Sequence, residues 1–80
     1  MMKFHVTHSA SPLNVEKRFD PDTTIVNLKS KLYPLSGTQP MFQTLQLQNP
    51  DGAVLAVMEP EEARLKDFPI FEYAIIHVRD

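Results

Sequence analysis

One segment of the chain has the spacing of an amphipathic helix, and segments of alternating polarity lie on both sides of it. Ile25, Leu28 and Leu32 repeat at i, i+3 and i+7, which places their side chains on one helical stripe. Thr24 is the predicted N-cap, because its hydroxyl can accept a backbone N–H from the first turn. A chain with one such helix and several alternating segments must bury the helical stripe against a sheet.

Five segments alternate between apolar and polar residues, which is the pattern of half-buried strands. The predicted strands are residues 3–9, 15–19, 43–48, 53–57 and 73–78. The predicted order is therefore β-β-α-β-β-β, with the helix across one side of a mixed sheet and the first and last strands adjacent at its centre. We expect an α+β fold that forms one domain over residues 1–80.

Prolines and glycines mark where these segments end. Pro34 disfavours helical geometry at Tyr33, so we predict that the helix ends there. Residues 49–52 have the composition of a tight turn between two strands. The acidic stretch 59–67 is predicted to hold one short helical turn, and residues 68–70 are predicted to form a loop.

Composition excludes several classes of function. Cysteine is absent, which excludes a disulfide framework, a thiolate nucleophile and a zinc site with cysteine ligands. The 8 basic and 10 acidic residues give a formal charge of −2, so the basic footprint of a nucleic-acid-binding domain is missing. No stretch approaches the roughly 20 apolar residues of a membrane-spanning helix, and the N-terminus lacks the apolar core of a signal peptide. We therefore expect a cytoplasmic protein that binds neither nucleic acid nor membrane.

Patterns that carry chemistry are missing as well, so we predict no catalytic residue, no cofactor and no metal. With only 2 glycines, the chain lacks a glycine-rich phosphate loop. His5 and His77 are predicted on the outer face of the sheet and His8 on the opposite face, without the cysteine or carboxylate neighbours that a metal site needs.

The strand order and the helix resemble those of ubiquitin. Residues 21–32 are similar to ubiquitin's helix entry and helix without a gap, and residues 76–78 are similar to its last strand. This resemblance implies the ubiquitin-like β-grasp fold. Residues 16–19, 61–70 and 76–80 are more specifically similar to the N-terminal ubiquitin-like domain of the tubulin-folding cofactor B family.

The resemblance to that family implies a non-enzymatic chaperone role. It implies that α-tubulin and tubulin-folding cofactor E are partners, in α-tubulin folding and in assembly and disassembly of the tubulin heterodimer. It also implies a location in the cytoplasm, associated with the cytoskeleton, and we expect a monomer. The family joins this domain to a C-terminal CAP-Gly domain, which these 80 residues do not contain, so we expect no binding of tubulin tails by them.

The acidic stretch and the loop after it are the predicted partner-binding site. Acidic stretches are usually solvated surfaces, but three large apolar residues adjoin this one, and aromatic anchors carry much of the energy of an interface. The alternative is that Leu65, Phe68 and Ile70 cover the bottom of the core. The predicted site residues are Glu61, Glu62, Arg64, Lys66, Phe68, Ile70 and Phe71.

Two functions of other classes stay open on the sequence. A ubiquitin-like adaptor for the degradation machinery would use ubiquitin's apolar patch, whose positions correspond to Gln46, His77 and Arg79, so we expect ubiquitin receptors to bind poorly. A conjugated modifier or sulfur carrier needs a flexible tail that ends in two glycines, whereas Gly37 and Gly52 are internal. We therefore expect that the chain is not conjugated to other proteins.

Overall fold

The computed structural model describes residues 1–80, which form a five-stranded sheet with one α-helix across it. The helix, α1, spans Ile25–Ser36. The strands are β1 Met2–His8, β2 Asn14–Phe19, β3 Thr44–Gln48, β4 Val54–Val57 and β5 Ala74–Arg79. Short 3₁₀ turns occupy Pro40–Phe42 and Leu65–Asp67. The element order is the predicted one, and each strand boundary lies within one residue of its prediction.

The sheet has the strand order β2-β1-β5-β3-β4, with β1 and β5 parallel at its centre. Phe4 pairs with Ala74 and Val6 with Ile76, so the inward side chains of the two central strands lie side by side. The other pairs, β1 with β2, β3 with β5 and β3 with β4, are antiparallel. The prediction of a mixed sheet with adjacent first and last strands is therefore confirmed.

The core lies between α1 and the inner face of the sheet. It contains the predicted helical stripe, inward residues from β1, β2, β3 and β5, and Met58 and Leu65 from the connections. The buried apolar residues are Phe4, Val6, Phe19, Ile25, Leu28, Leu32, Leu45, Leu47, Met58, Leu65, Ala74, Ile76 and Val78. None of the helices has the length and apolar character needed to span a membrane.

The end of α1 differs from the prediction. The helix does not stop at Tyr33 but continues through Pro34 to Ser36. Pro34 has no N–H to donate within the helix, yet Leu35 packs against the core in the next position. Gly37 then ends the helix with φ 74° and donates its N–H to the Tyr33 carbonyl at 2.9 Å. Packing and a left-handed glycine cap therefore outweigh the local preference of the proline.

The start of β5 also differs, because Tyr73 lies outside the strand. Tyr73 has φ 66°, a left-handed conformation that an extended strand excludes. Its N–H donates to the Lys3 carbonyl at 2.8 Å, and its ring lies 5.7 Å from the His5 ring. These contacts hold a conformation that the alternating pattern does not encode.

Candidate interaction surfaces

The residues 59–71, here called the acidic segment, lie against the N-terminal end of α1. The N–H of Ile25 donates to the Ala63 carbonyl at 2.8 Å, and the N–H of Val26 donates to the Glu61 carbonyl at 3.0 Å. A helix leaves its first backbone N–H groups without partners inside the helix. The acidic segment supplies partners for two of them, so its backbone is held in a defined position.

The remaining N–H groups of the first turn are satisfied by the predicted N-cap. The Thr24 hydroxyl accepts the N–H of Asn27 at 3.4 Å, and the Thr24 carbonyl accepts the N–H of Leu28 at 2.9 Å. The prediction of Thr24 as N-cap is therefore confirmed. The sequence did not indicate that a distant segment would complete the same end of the helix.

Ion pairs join the acidic segment to its surroundings. Lys66 Nζ lies 2.7 Å from Asp22 Oδ1, and Lys29 Nζ lies 3.4 Å from Glu61 Oε1. The hydrogen bond and the attraction from Lys66 hold the pKa of the Asp22 carboxyl below its ordinary value. Among the carboxylates of the segment only Glu61 is paired with a lysine. Glu59, Glu62 and Asp67 form no ion pair, so their charges are available to a basic partner.

The structure divides the predicted site residues into two groups. Glu61, Glu62, Arg64 and Lys66 are exposed, whereas three apolar residues are half-buried and pack against the core: Phe68, Ile70 and Phe71. Leu65 is fully buried. The alternative interpretation, in which Leu65, Phe68 and Ile70 cover the bottom of the core, is confirmed. The partner-binding role of the seven residues stays a prediction.

The outer face of the sheet carries the polar residues expected at the positions of ubiquitin's patch. Gln46 pairs with His77, and Thr44 pairs with Arg79. His77 Nδ1 lies 2.7 Å from the Thr7 hydroxyl. Burial lowers the pKa of His77, and the positive charge of Arg79 lowers it further.

The histidines of the outer face each have a separate environment. Thr7 is the β1 neighbour of His77. His5 lies two residues before Thr7 on the same strand, and its ring is beside the Tyr73 ring. His5 and Tyr73 line a shallow depression of about 210 Å³ together with Ile75 on β5. His8 faces the other side of the sheet, as predicted, and is buried. No group of three or more histidine, cysteine, aspartate or glutamate side chains is placed to hold a metal ion.

A cavity at the C-terminal end of α1 was not predicted from the sequence. This cavity, here called the helix-end cavity, has a volume of about 430 Å³. Its lining residues are Gly37, Thr38, Gln39, Phe42 and Asp80. Phe42 is 62 % exposed and the neighbouring Met41 is 76 % exposed. The adjacent pair of large apolar residues between Pro40 and β3 was the one local signal for it.

Two lining residues of the helix-end cavity, Thr38 and Asp80, form a cluster with the buried His8. Ala10 donates its N–H to His8 Nδ1 at 3.0 Å, and His8 Nε2 lies 2.8 Å from the Thr38 hydroxyl. Because Nδ1 accepts a backbone N–H, the imidazole proton lies on Nε2 and donates to Thr38. This is the reverse of a hydrolase triad, in which Nε2 accepts the hydroxyl proton and a carboxylate accepts the proton of Nδ1. The cluster is therefore a hydrogen-bond network without an activated nucleophile.

The chain is similar to known proteins over its whole length. A family model of the ubiquitin-like domain matches residues 1–80. Tubulin-binding cofactor B from Trypanosoma brucei is 30 % identical, with a TM-score of 0.92 over 99 % of this chain and 93 % of that one. The N-terminal ubiquitin-like domain of tubulin-binding cofactor B from Drosophila melanogaster is 24 % identical, with a TM-score of 0.81 over 99 % and 83 %.

A further similarity concerns a different cofactor. The C-terminal ubiquitin-like domain of mouse tubulin-specific chaperone e is 17 % identical, with a TM-score of 0.82 over 98 % of this chain and 84 % of that one. At that identity the likeness concerns the fold alone. No curated protein sequence matches the chain.

Proposed function

The chain belongs to the ubiquitin-like domain family, and from that premise we propose that it is the protein-interaction domain of a tubulin-folding cofactor. The observation that carries the proposal is the match to tubulin-binding cofactor B from Trypanosoma brucei, at 30 % identity over 99 % of this chain. The likeness to cofactor B extends over the helix, the sheet and the acidic segment together. Because one fold serves many functions, the specific relative supports the proposal more strongly than the β-grasp does.

The proposed role is non-enzymatic. The domain takes part in α-tubulin folding and in assembly and disassembly of the tubulin heterodimer, with α-tubulin and tubulin-folding cofactor E as partners. It acts in the cytoplasm, in association with the cytoskeleton, as a monomer.

We assign partner binding to the acidic segment. Its backbone is held by hydrogen bonds to α1, so a partner would bind a surface that already has its final shape. Glu59 and Glu62 form no ion pair, which leaves their charges available to a basic surface. Phe68 and Phe71 are half-buried, so each ring keeps some exposed apolar area beside the charges.

The polar residues at the positions of ubiquitin's patch argue against the degradation-adaptor alternative. Ubiquitin receptors bind an apolar patch, and the corresponding positions here are Gln46, His77 and Arg79. An apolar receptor surface would have to desolvate these polar groups without pairing them, which costs free energy. We therefore place the partner surface on the acidic segment and not on the sheet.

The test is a titration of the isotope-labelled chain, followed by backbone amide shifts, with α/β-tubulin and separately with cofactor E. We expect localised shifts in residues 61–71 with at least one of the two proteins. Glu62→Lys should weaken binding by roughly tenfold, about 1.4 kcal/mol. Glu16→Lys is the matched control, because Glu16 is an exposed glutamate on β2 and lies outside the acidic segment.

The possible results of the titration distinguish an error in the proposed site from an error in the proposed function. Shifts on another surface would retain the function and exclude the acidic segment as its site. Equal weakening by Glu62→Lys and Glu16→Lys would also exclude that site, since it would indicate a general effect of charge. An unchanged spectrum with both proteins, at concentrations well above micromolar, would contradict the proposed function.

A further inference from the structure

The helix-end cavity lies at the opposite end of α1 from the acidic segment, and nothing in the proposed function uses it. Its walls combine an exposed aromatic ring with a carboxylate and a hydroxyl: Phe42, Asp80 and Thr38. We propose that this cavity binds an arginine side chain presented by a partner protein, with the guanidinium on the Asp80 carboxylate and against the Phe42 ring. The cavity is open to solvent and has a volume of about 430 Å³.

The Asp80 carboxylate can accept further hydrogen bonds. Its side chain is 44 % exposed, and no lysine or arginine lies within 4.0 Å of it. The hydroxyls of Ser9 and Thr38 each donate to it at 3.4 Å, one to each oxygen. A carboxylate offers about four lone-pair positions, so both oxygens can still accept from the two parallel N–H groups of a guanidinium.

The buried histidine sets the direction of the hydrogen bonds around Asp80. Ala10 donates to His8 Nδ1, His8 Nε2 donates to the Thr38 hydroxyl, and that hydroxyl donates to Asp80 Oδ2. His8 Nε2 itself lies 3.7 Å from the same oxygen. His8 and Thr38 are both less than a tenth exposed, so this donor chain is held in place by the core. The carboxylate is thereby oriented before a ligand arrives.

Phe42 supplies an aromatic face at the mouth of the cavity. The 3₁₀ turn holds it, since the N–H of Phe42 donates to the Gln39 carbonyl at 2.9 Å. The buried amide of Gln43 donates to the carbonyls of Lys29 and Thr38, both at 2.9 Å, which fixes the loop to α1. A ring that is 62 % exposed on a fixed backbone is suited to a cation–π contact.

The chemistry of the two walls selects arginine over other side chains. An apolar ligand would desolvate Asp80 without pairing its charge. Lysine is a compact charge, whereas the planar guanidinium can both stack on a ring and form two parallel hydrogen bonds to a carboxylate. The neighbouring Arg79 does not fill the site, because it lies on the outer face of the sheet opposite Thr44.

The proposal is tested with N-acetylarginine amide as the probe and its neutral isostere, N-acetylcitrulline amide, as the control. At constant ionic strength we expect saturable amide shifts of Thr38, Gln39 and Asp80, with a dissociation constant on the order of 1 mM. The citrulline analogue and the corresponding lysine derivative should bind roughly tenfold more weakly. Equal binding of either analogue would overturn the assignment to a guanidinium.

Variants locate the site. Phe42→Ala and Asp80→Asn should each weaken arginine binding about tenfold, while Phe42→Tyr should retain it. Glu16→Gln and Val57→Ala remove an exposed charge and an exposed apolar side chain elsewhere, and should leave binding unchanged. Unaltered binding by Phe42→Ala or Asp80→Asn, or equal weakening by the control variants, would refute the helix-end cavity as the site.

Discussion

At the N-terminal end of α1 every backbone N–H of the first turn has a partner, whereas the C-terminal end contains a proline and opens onto a cavity. At the first end, Glu61 and Ala63 accept from α1, and Thr24 accepts twice. At the second end, Pro34 has no N–H to donate, and the glycine cap is followed by exposed Met41 and Phe42. The same helix is thus closed by backbone contacts at one end and left accessible at the other.

The difference concerns how each end obtains its stability. The N-terminal end depends on a segment far away in the chain, which Leu65 anchors in the core. The C-terminal end depends on the left-handed Gly37, on the amide of Gln43 and on the packing of Leu35 against the core. A surface that needs no further contacts for its own stability can offer its side chains to a ligand. The cavity with an exposed ring and carboxylate lies at that end.

The largest expected effect comes from removing the anchor of the acidic segment. Leu65→Ala should lower the free energy of unfolding by about 2–5 kcal/mol, because it leaves a cavity in the core. Leu35→Ala, at the other end of α1 and half-buried, should cost about 1 kcal/mol. Urea unfolding measures both. Equal losses would contradict the conclusion that the two ends are held differently.

Replacing the proline at the C-terminal end of α1 is expected to stabilise the protein. Pro34→Ala restores a helical N–H, and we expect the free energy of unfolding to rise by about 1–2 kcal/mol, after the added entropy of the unfolded chain is counted. Pro12→Ala, in an exposed loop, is the control and should lower it slightly. If thermal denaturation ranks the two variants alike, Pro34 does not strain the helix.

The N-cap and the C-cap of α1 are expected to contribute similar amounts to the free energy of unfolding, for different reasons. Thr24→Ala removes a hydrogen-bond acceptor and should cost about 1 kcal/mol. Gly37→Ala meets no atom within 4 Å, so its cost of about 1 kcal/mol is the strain of φ 74° alone. Thr24→Ser and Gly37→Asn should recover most of each loss. Chemical denaturation of the four variants is the measurement, and a Gly37→Asn variant as unstable as Gly37→Ala would contradict the strain argument.

The smallest effect concerns the exposed ion pair beside the acidic segment. The pKa of Asp22 lies below its ordinary value of 3.8, first because of its hydrogen bond to Lys66. The pair therefore adds stability above about pH 3.8, and this contribution disappears as the pH falls through the folded-state pKa. Because both side chains are exposed, the change in stability is small.

Carboxyl chemical shifts during an acid titration measure the Asp22 effect directly. Lys66→Met should return the pKa of Asp22 toward its ordinary value, since the hydrogen bond and the nearby positive charge are both lost. Lys31→Met removes a lysine from the exposed side of α1 and should leave the Asp22 titration unchanged. An Asp22 titration that is the same in the parent chain and in Lys66→Met would exclude the ion pair in solution.

Most of the fold could be predicted because its signals are local. The alternation of β1 and β5, the stripe from Ile25 to Leu32 and the hydroxyl of Thr24 all lie within short segments. The prediction was wrong for the end of α1, where the packing of Leu35 outweighed the preference of Pro34. A tertiary contact can override a local propensity by more than the propensity is worth.

The candidate sites were less predictable than the fold. The composition of the acidic segment indicated a surface with charge, but its half-buried aromatic rings depend on how closely the segment packs against the core. The helix-end cavity was missed, because Asp80 directly follows β5 while Phe42 comes from the turn before β3. No pattern of neighbouring residues indicates that these two side chains share a cavity.

The sequence by itself determined the number and order of the elements, the inward faces of the strands and the start of the helix. These follow from periodicity and capping, which involve residues within a few positions of one another. Only the tertiary structure decided where α1 ends, what completes its first turn and which polar groups meet at its far end. Those features join residues 8, 38 and 80, or 25 and 63, and such contacts exist only once the sheet brings distant segments together.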